Sequence, residues 1–316
     1  MTATRTWWAQ TGVEVLTTGS PSLGGWVRLR ADARTADGSL GPPVCGVDCL
    51  GSLAVDPPGS RAIDLLARRD GHVAGWARVI EPVDVSGPVT VESLVVDPGH
   101  RGCGVGRCLL DLVRRAAASE GRREVLVAVP EPLVSMATAW GGHDGGRPRQ
   151  VHQVMHVAAQ DLAVTLPHVP AGLAVVRWEA QAPDDMAAGV SALDGHRNLE
   201  MLRSLERMRR VRGRTARHTA LVDEGGGRVV GYTSISLPAS SPLDVEQGMT
   251  VVDPTARGRG HGWLLKSLSF AALRRERPWV RRMWTANDEE NRPMSALNRR
   301  LGFRPWQYRR VLVWEV

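Results

Sequence analysis

The sequence predicts an α/β chain of two tandem units, each a mixed, mostly antiparallel twisted sheet flanked by helices. Three observations carry this. From Met249 to Lys266 an apolar strand runs through a glycine-rich turn into a helix, and the stretch from Val95 to Leu110 repeats that pattern. Arg257 and Arg101 lie 156 residues apart, and the same offset relates Gly262 to Gly106 and Gly231-Tyr232 to Gly75-Trp76. One offset kept across separate elements means an internal duplication. The chain length, 316 residues, gives each of two domains enough chain for its own core.

Taken in order, the first 60 residues read poorly. Trp7, Trp8 and Trp26 among scattered Gly and Pro suggest irregular structure or short helices, with Val13 to Leu16 and Trp26 to Leu29 as candidate strands. A meander follows: Ile63 to Ala67, an Arg69-Asp70-Gly71 turn, Val73 to Ile80, and Val89 to Val96 into the first glycine loop. Leu109 to Ser119 reads as helix, Val125 to Val129 as strand, Leu133 to Trp140 as a short helix and Val151 to Val157 as strand. Asp161 to Gly172, with Pro167 and Pro170, reads as a linker, so the units are expected at 1–165 and 166–316. The second unit restarts with a strand at Ala174 to Trp178 and helices at Asp184 to Leu193 and Asn198 to Val211. Strands at Thr219 to Asp223, Val229 to Leu237 and Val245 to Val252 then lead into the helix Trp263 to Arg275. A strand at Arg281 to Ala286, a helix at Met294 to Leu301 and a last strand at Trp306 to Trp314 complete it. Strands with helices on both faces make an α/β fold.

Composition is that of an ordinary globular protein, 43% hydrophobic and 23% charged. Met1 to Gln10 lack a basic segment followed by an apolar run, and no stretch of about 18 apolar residues occurs, so no membrane role is expected and the cytoplasm is the default compartment. Cys45, Cys49, Cys103 and Cys108 fit no standard zinc spacing and read as free thiols; no metal is expected. The formal net charge of +7 sits in the second half, which carries +8 from Leu166 onward against −1 up to Thr165. Basic and aromatic residues do not interleave as a stacking platform requires, which argues against nucleic acid. A solvated basic face, or attraction of a phosphorylated or acidic small molecule, explains the charge.

The turn itself is an anion cradle. A strand ending at Asp253-Pro254 and a helix restarting near Gly262 leave backbone N–H groups unpaired and pointing one way. Gly258, Gly260 and Gly262 allow close approach of a bulky anion, and Arg257 and Arg259 can pair with phosphate. A P-loop needs its lysine directly after the glycine, whereas Lys266 follows Gly262 by four residues. A dinucleotide fingerprint needs Gly-x-Gly-x-x-Gly, and here the spacing is Gly258-x-Gly260-x-Gly262. The remaining pattern, Arg-x-x-Gly-x-Gly after a Val-Asp-Pro strand end, resembles the acyl-CoA pyrophosphate loop of the GNAT superfamily of N-acetyltransferases. Asn287 to Met294 also resembles the Asn-x-x-x-Asn-x-x-Met segment of the tandem actinobacterial branch to which the mycothiol synthases belong.

The resemblance implies a fold, an activity and sites. Acetyl-CoA would be held by Val252, Arg257, Gly258, Arg259, Gly260, His261, Gly262 and Trp263, with the side-chain amides of Asn287, Asn291 and Asn298 near its arm. Asn291 before Pro293 reads equally well as a helix N-cap. In the first unit the matching positions are Val96, Arg101, Gly102, Cys103, Gly104, Val105, Gly106 and Arg107.

Transfer from a thioester to an amine needs a neutral amine, a donor for the developing oxyanion, and a proton for the departing thiolate. Glu246, eleven residues before Arg257, is the candidate base, against the alternative of a strand glutamate facing solvent. Glu92 lies nine residues before Arg101 and falls on the same strand face by alternation. By resemblance alone, the backbone N–H of Thr250 is the oxyanion donor. The tyrosine that many family members use as acid is replaced by Asn298, four residues before Gly302, leaving Tyr308 as candidate acid and water as the fallback. The first unit has no Asn-x-x-x-Asn segment and no Leu-Gly-Phe ending such as Leu301 to Phe303. The expectation is therefore a catalytic second unit and a first unit that binds CoA or serves as scaffold. The acceptor is expected to be a small-molecule primary amine, one bearing an acidic group being favoured by the basic stretch Arg203 to Arg217. Attack in a ternary complex is expected, because neither Cys103 nor Cys108 has an evident partner base, and the chain is read as a monomer with an internal pseudo-dimer. A non-catalytic acyl-CoA sensor or partner-binding module, and a protein or peptide N-acyltransferase, remain open alternatives.

Overall fold

A computed structural model describes residues 12–39, 41–84, 86–156, 168–193, 199–239 and 241–316, so Trp7, Trp8 and most of the expected linker lie outside the described residues. The chain divides into two compact units, Met1–Val151 with Gln307–Val316, and His152–Trp306.

In the first unit the strands are β1 (Val13–Val15), β2 (Ser60–Arg69), β3 (His72–Pro82), β4 (Val89–Val96), β5 (Glu124–Pro130) and the two-residue β6 (His143–Asp144). The helices are α1 (Leu23–Ala36), α2 (Gly46–Ala54), α3 (Val105–Ser119) and α4 (Val134–Ala139). β1 to β4 form an antiparallel meander, and β5 joins β4 in parallel. The hairpin between β2 and β3 turns on Asp70 and Gly71, at φ of 50° and 78°, the paired positive values that match strand twist. On one face Leu109, Leu112, Val113 and Ala116 of α3 pack on Leu65, Ala77, Val79 and Val127. Each such buried aliphatic side chain contributes about 1.5–3 kcal/mol. On the other face α1 and α2 cover Leu66 and Trp76.

Trp26 to Leu29 belong to helix α1 and not to a strand. Trp26, Leu29 and Ala33 are its buried residues, spaced to share one helical face, and Gly25 lets it approach β3, where an added Cβ would lie 2.9 Å from Val73. The sequence window was too short to distinguish this period from alternation.

The second unit contains β7 (Gln150–His156) from His152 on, β8 (Leu173–Glu179), α5 (Asp184–Leu193), α6 (Leu199–Val211), β9 (Arg214–Asp223), β10 (Val229–Pro238) and β11 (Asp244–Val252). α7 (His261–Glu276), β12 (Arg282–Asp288) and α8 (Arg292–Arg300) follow. Its sheet runs β7-β12-β11-β10-β9-β8, with β8 to β11 antiparallel and β12 parallel to β11. α7 is buried on every side from Leu264 to Phe270. Gly231 makes room for it: a Cβ there would come within 2.9 Å of Leu265, and one at Gly75 within 2.6 Å of Val105. The repeated glycine thus marks the place where each post-loop helix lies closest to its sheet.

The sequence reading gives the final strand to the second unit, but β13 (Arg304–Glu315) pairs antiparallel with β5, from Arg309 opposite Pro130 to Glu315 opposite Glu124. Residues Gln307–Val316 therefore complete the first unit, while β7, the last strand of the first repeat, lies in the second unit's sheet. Each repeat ends in a strand that serves the other. The linear pattern reads the strand correctly and says nothing about its neighbour.

Candidate active site

The two glycine loops are built alike. After β11, Asp253 caps a short 3-10 turn, Pro254–Ala256, its Oδ1 accepting from the Thr255 N–H at 2.8 Å while Arg228 pairs with Oδ2 at 2.6 Å. Arg257 Nε donates to the Val252 carbonyl at 3.1 Å, and Gly258 and Gly260 both sit at φ of +79°, where a Cβ is strained. α7 then begins at His261, so its first N–H groups point into the loop. In the first unit Asp97 caps Pro98–His100, Arg101 Nε approaches the Val96 carbonyl at 3.5 Å, and Gly102 and Gly104 lie at φ of +77° and +80° ahead of α3. One difference separates them. Arg101 is paired with Asp37 at 2.8 Å, whereas Arg257 and Arg259 have no carboxylate partner among the described residues.

Behind each loop the sheet opens. β11 and β12 are in parallel register only from Asp244 to Glu246, and β4 and β5 only from Val89 to Val91. Beyond those points each pair diverges toward its loop. Both incoming strands carry a bulge at the same place: Thr233 pairs with Thr250 but Ile235 with Gln247, as Arg78 pairs with Ser93 but Val79 with Val91. The extra residue is Gly248 in the second unit and Glu92 in the first, so Glu92 matches Gly248 and not Glu246. A bulge interrupts the alternation on which the sequence comparison of the two glutamates relied.

The second bulge is open and braced from below. A Cβ on Gly248 would lie 2.5 Å from Ser234 Oγ, so a side chain there requires the Ser234 hydroxyl to turn away. The buried Gln247 amide donates to Thr233 Oγ1 and to the Ser234 carbonyl, both at 2.9 Å, and to the Gly248 carbonyl at 3.1 Å. Thr250 is in the ladder opposite Thr233, their hydroxyls 2.8 Å apart, while Gly248 and Met249 have no one-to-one partner on β10. The amides freed by the bulge therefore lie one and two residues before Thr250. In the first unit Glu92 occupies the bulge and pairs with Arg78 at 3.3 Å, Arg78 in turn holding the buried Asp64 at 2.8 Å.

Glu246 stands just before the divergence, half exposed, and accepts from Arg214 at 2.6 Å. Directly across β10 is Ser236, whose hydroxyl is buried without a partner. Ser234, Tyr232 and His218 share this face. The Tyr232 hydroxyl lies 2.6 Å from His218 Nδ1, and His218 Nε2 donates to the Ala180 carbonyl at 3.1 Å, which makes Nδ1 the acceptor. Burial first, and then the Arg209 charge, bring the His218 pKa down to about 4, so it is a neutral imidazole. The Trp178, His218 and Tyr232 rings stack. Burial also pushes the Tyr232 phenol up, against the opposing Arg209 charge.

The three asparagines take different places. Asn291 caps α8, accepting from the Met294 N–H at 3.1 Å. Asn287, at the end of β12, donates to Ser295 Oγ at 3.0 Å and to the Asp288 carbonyl at 2.7 Å. Asn298 is fully buried between Lys266 and Asn287. Gly262 faces Leu297 of α8, and Trp263 lies under the Arg300 guanidinium at 4.4 Å. Tyr308 belongs to the first unit, its ring 4.5 Å from the Arg149 guanidinium. Cys103 and Cys108 are exposed free thiols beside the first loop; Cys45 and Cys49 are buried. Among the described residues no cluster of three or more His, Cys, Asp or Glu could hold a metal, and no helix is long and apolar enough to cross a membrane.

Sequence reasoning missed Gln247, Arg214 and Lys266. A glutamine at an inward strand position was a visible signal. Arg214 is 32 residues from Glu246 and has no local one.

A diverging parallel strand pair, a bulge and a left-handed glycine loop at a helix start, present twice, define an acyltransferase architecture. The model of the Acetyltransferase (GNAT) family matches residues 40–136 and 192–303, and the chain belongs to that family. It is 28% identical over 289 residues to a mycothiol acetyltransferase of Actinosynnema mirum, covering 89% of this chain and 91% of the relative. A mycothiol acetyltransferase of Salinispora tropica is also 28% identical, over 84% of this chain and 91% of its own. Among solved structures, a tandem GNAT protein from the clavulanic acid biosynthesis pathway superposes with a TM-score of 0.87 at 34% identity, over 96% of this chain and 98% of that one. A GCN5-related N-acetyltransferase from Sphaerobacter thermophilus shares the fold, with a TM-score of 0.72 at 19% identity over 96% and 95% of the two chains. The chain is an acyltransferase with tandem GNAT units.

Proposed function

We propose that the second unit transfers an acetyl group from acetyl-CoA to the primary amine of a small molecule, by direct attack in a ternary complex. The observation that carries this reading is the coincidence, on one strand, of Glu246, the start of the divergence and the bare bulge at Gly248. The residues fit the coenzyme: Arg257 and Arg259 have no carboxylate partner among the described residues, Gly258 and Gly260 have open space where a Cβ would stand, and the bulge carries no side chain of its own at Gly248. Acetyl-CoA, when bound, supplies an activated acyl carbon and a thiolate leaving group.

The chain's residues take the following parts. Arg257, Arg259 and the loop amides hold the phosphates, with Asn287 near the arm. The backbone N–H groups of Gly248 and Met249, freed by the bulge, donate to the carbonyl oxygen as it gains charge. Glu246 takes the proton from the amine, directly or through a water, and Arg214 steadies the carboxylate. Solvent protonates the departing thiolate. Arg209, near Tyr232 and without a carboxylate partner among the described residues, favours an acceptor bearing an acidic group. The likeness to mycothiol acetyltransferases and to a biosynthetic-pathway protein supports a small acceptor over a protein. The first unit serves as scaffold or weak CoA binder.

Thiol release from acetyl-CoA, measured with paired amines that differ only in an acidic group, tests this. Glu246→Gln should lower kcat by about 100-fold or more without weakening CoA binding. Acidic amines should be preferred, and Arg209→Ala should erase the preference. Turnover equal in Glu246→Gln and wild type would remove Glu246 as base. Binding of acetyl-CoA without turnover of any amine would favour the sensor reading.

A further inference from the structure

Lys266 is the chain's only lysine, arginine carrying every other basic side-chain charge. It lies on α7 one turn beyond the loop and is 1% exposed. Its Nζ donates to Asn298 Oδ1 at 2.6 Å and stands 5.8 Å from the centre of the Phe303 ring. No carboxylate offsets its burial, which alone brings its pKa down to about 7. Such a group costs stability. At the matching position of the first unit is Leu110, an ordinary core residue. The reaction as described leaves Lys266 unused.

Its neighbours are joined in one direction. As an ammonium, the form that prevails below about pH 7, Lys266 can only donate, so Asn298 then turns its oxygen toward Lys266 and its amino group away. That amino group donates to Asn287 Oδ1 at 3.2 Å, and Gln153 Nε2 donates to the same oxygen at 2.9 Å. Asn287 Oδ1 is thereby held inward, and its amino group must point toward Ser295 and the Asp288 carbonyl, at the free end of β12. One cation orients two carboxamides in series. An arginine would need several acceptors in a fixed fork, and the carboxamide oxygen offers one.

We propose that Lys266 is a positioning residue that sets the polarity of Asn287, so that both its amino hydrogens tie the end of β12 to Ser295 of α8 and to the Asp288 carbonyl and fix the wall along which the coenzyme arm would lie. This rests on the reading that the second unit's cleft holds acetyl-CoA. Without the lysine both carboxamides can flip, and Asn287 then turns its oxygen toward the Asp288 carbonyl, which repels it and loosens that wall.

Two variants and two readouts decide the matter. Lys266→Met removes a buried charge and adds no bulk, so the fold should persist with Tm equal or higher. Its KM for acetyl-CoA should rise roughly tenfold, the value of one well-placed hydrogen bond, with kcat at saturation within about twofold. Asn298→Asp keeps the lysine paired but has no amino group to give Asn287, so it should show the same rise in KM with equal or higher Tm. A KM unchanged in both variants, whatever their Tm, overturns the proposal and leaves Lys266 a structural oddity. If the wild type fails to turn over acetyl-CoA, the functional reading fails separately, and the relay is judged on the side-chain amide protons of Asn287 by NMR. They should exchange slowly in wild type and rapidly in Lys266→Met; equal exchange sinks the relay.

Discussion

At the bulge of β4 the first unit places Glu92, tied to Arg78 and through it to the buried Asp64; at the bulge of β11 the second unit places Gly248, with Ser234 across from it. The same contrast recurs around both sites. Arg101 is engaged by Asp37 while Arg257 has no carboxylate partner among the described residues; Val91 underlies the first bulge where Gln247 braces the second; Leu110 fills the place of Lys266. What the units keep in common is backbone: left-handed glycines, the close approach at Gly75 and Gly231, and a three-residue parallel register that then parts. Duplication has preserved the geometry of a cleft and let the side chains that would use it diverge. In the first unit those side chains satisfy one another, and in the second they leave valences open toward the cleft.

The contrast can be broken most severely at the loops. Arg257→Ala combined with Gly260→Asp removes a phosphate partner and strains a left-handed position, and should lower kcat/KM by about 1000-fold. Arg101→Ala with Gly104→Asp should change it by less than about threefold, since Arg101 already has a partner in Asp37. The opposite ranking would transfer catalysis to the first unit.

The comparison is sharpened by copying one bulge into the other. Gly248→Glu with Ser234→Arg rebuilds the first unit's ion pair in the second, and should cut kcat by about 100-fold while CoA binding through the loop persists. Undiminished kcat would mean that the carbonyl is not held at the bulge.

The smallest effect concerns the sheet face behind the site, where the first unit has the Arg78–Asp64 pair and the second has neutral His218. Its pKa falls from 6.5 unfolded to about 4 folded, so the unfolded chain binds the extra proton between those values. Stability is complete above pH 6.5 and is lost as pH drops toward 4, by about 3 kcal/mol at most. For Lys266 the window runs from 10.5 down to about 7, so stability should climb with pH across it, and the slope should flatten in Lys266→Met. Urea unfolding at stepped pH measures both. A slope unchanged in His218→Phe or Lys266→Met would contradict the assignment.

Much of this was legible in the chain. The 156-residue offset located both loops, and alternation found nearly every strand from Ile63 on. The loop residues Arg257 to Gly262 act through backbone conformation, which glycine spacing encodes locally. Partners across the fold were not legible: Arg214 for Glu246, or β5 for Tyr308's strand, depend on strand order, which no local pattern carries. Helix α1 escaped for a different reason. Its two glycines and single buried stripe weaken the helical signal over the few turns available.

The exchange of terminal strands bears on how the protein is made. A ribosome releases the first repeat long before Gln307–Val316 exist, so β5 must wait with an unsatisfied edge until that strand has been made. Cutting the gene between its repeats would give two fragments, each carrying the other's closing strand. Neither half of this duplicated gene can be inherited, expressed or lost alone without leaving its sibling open.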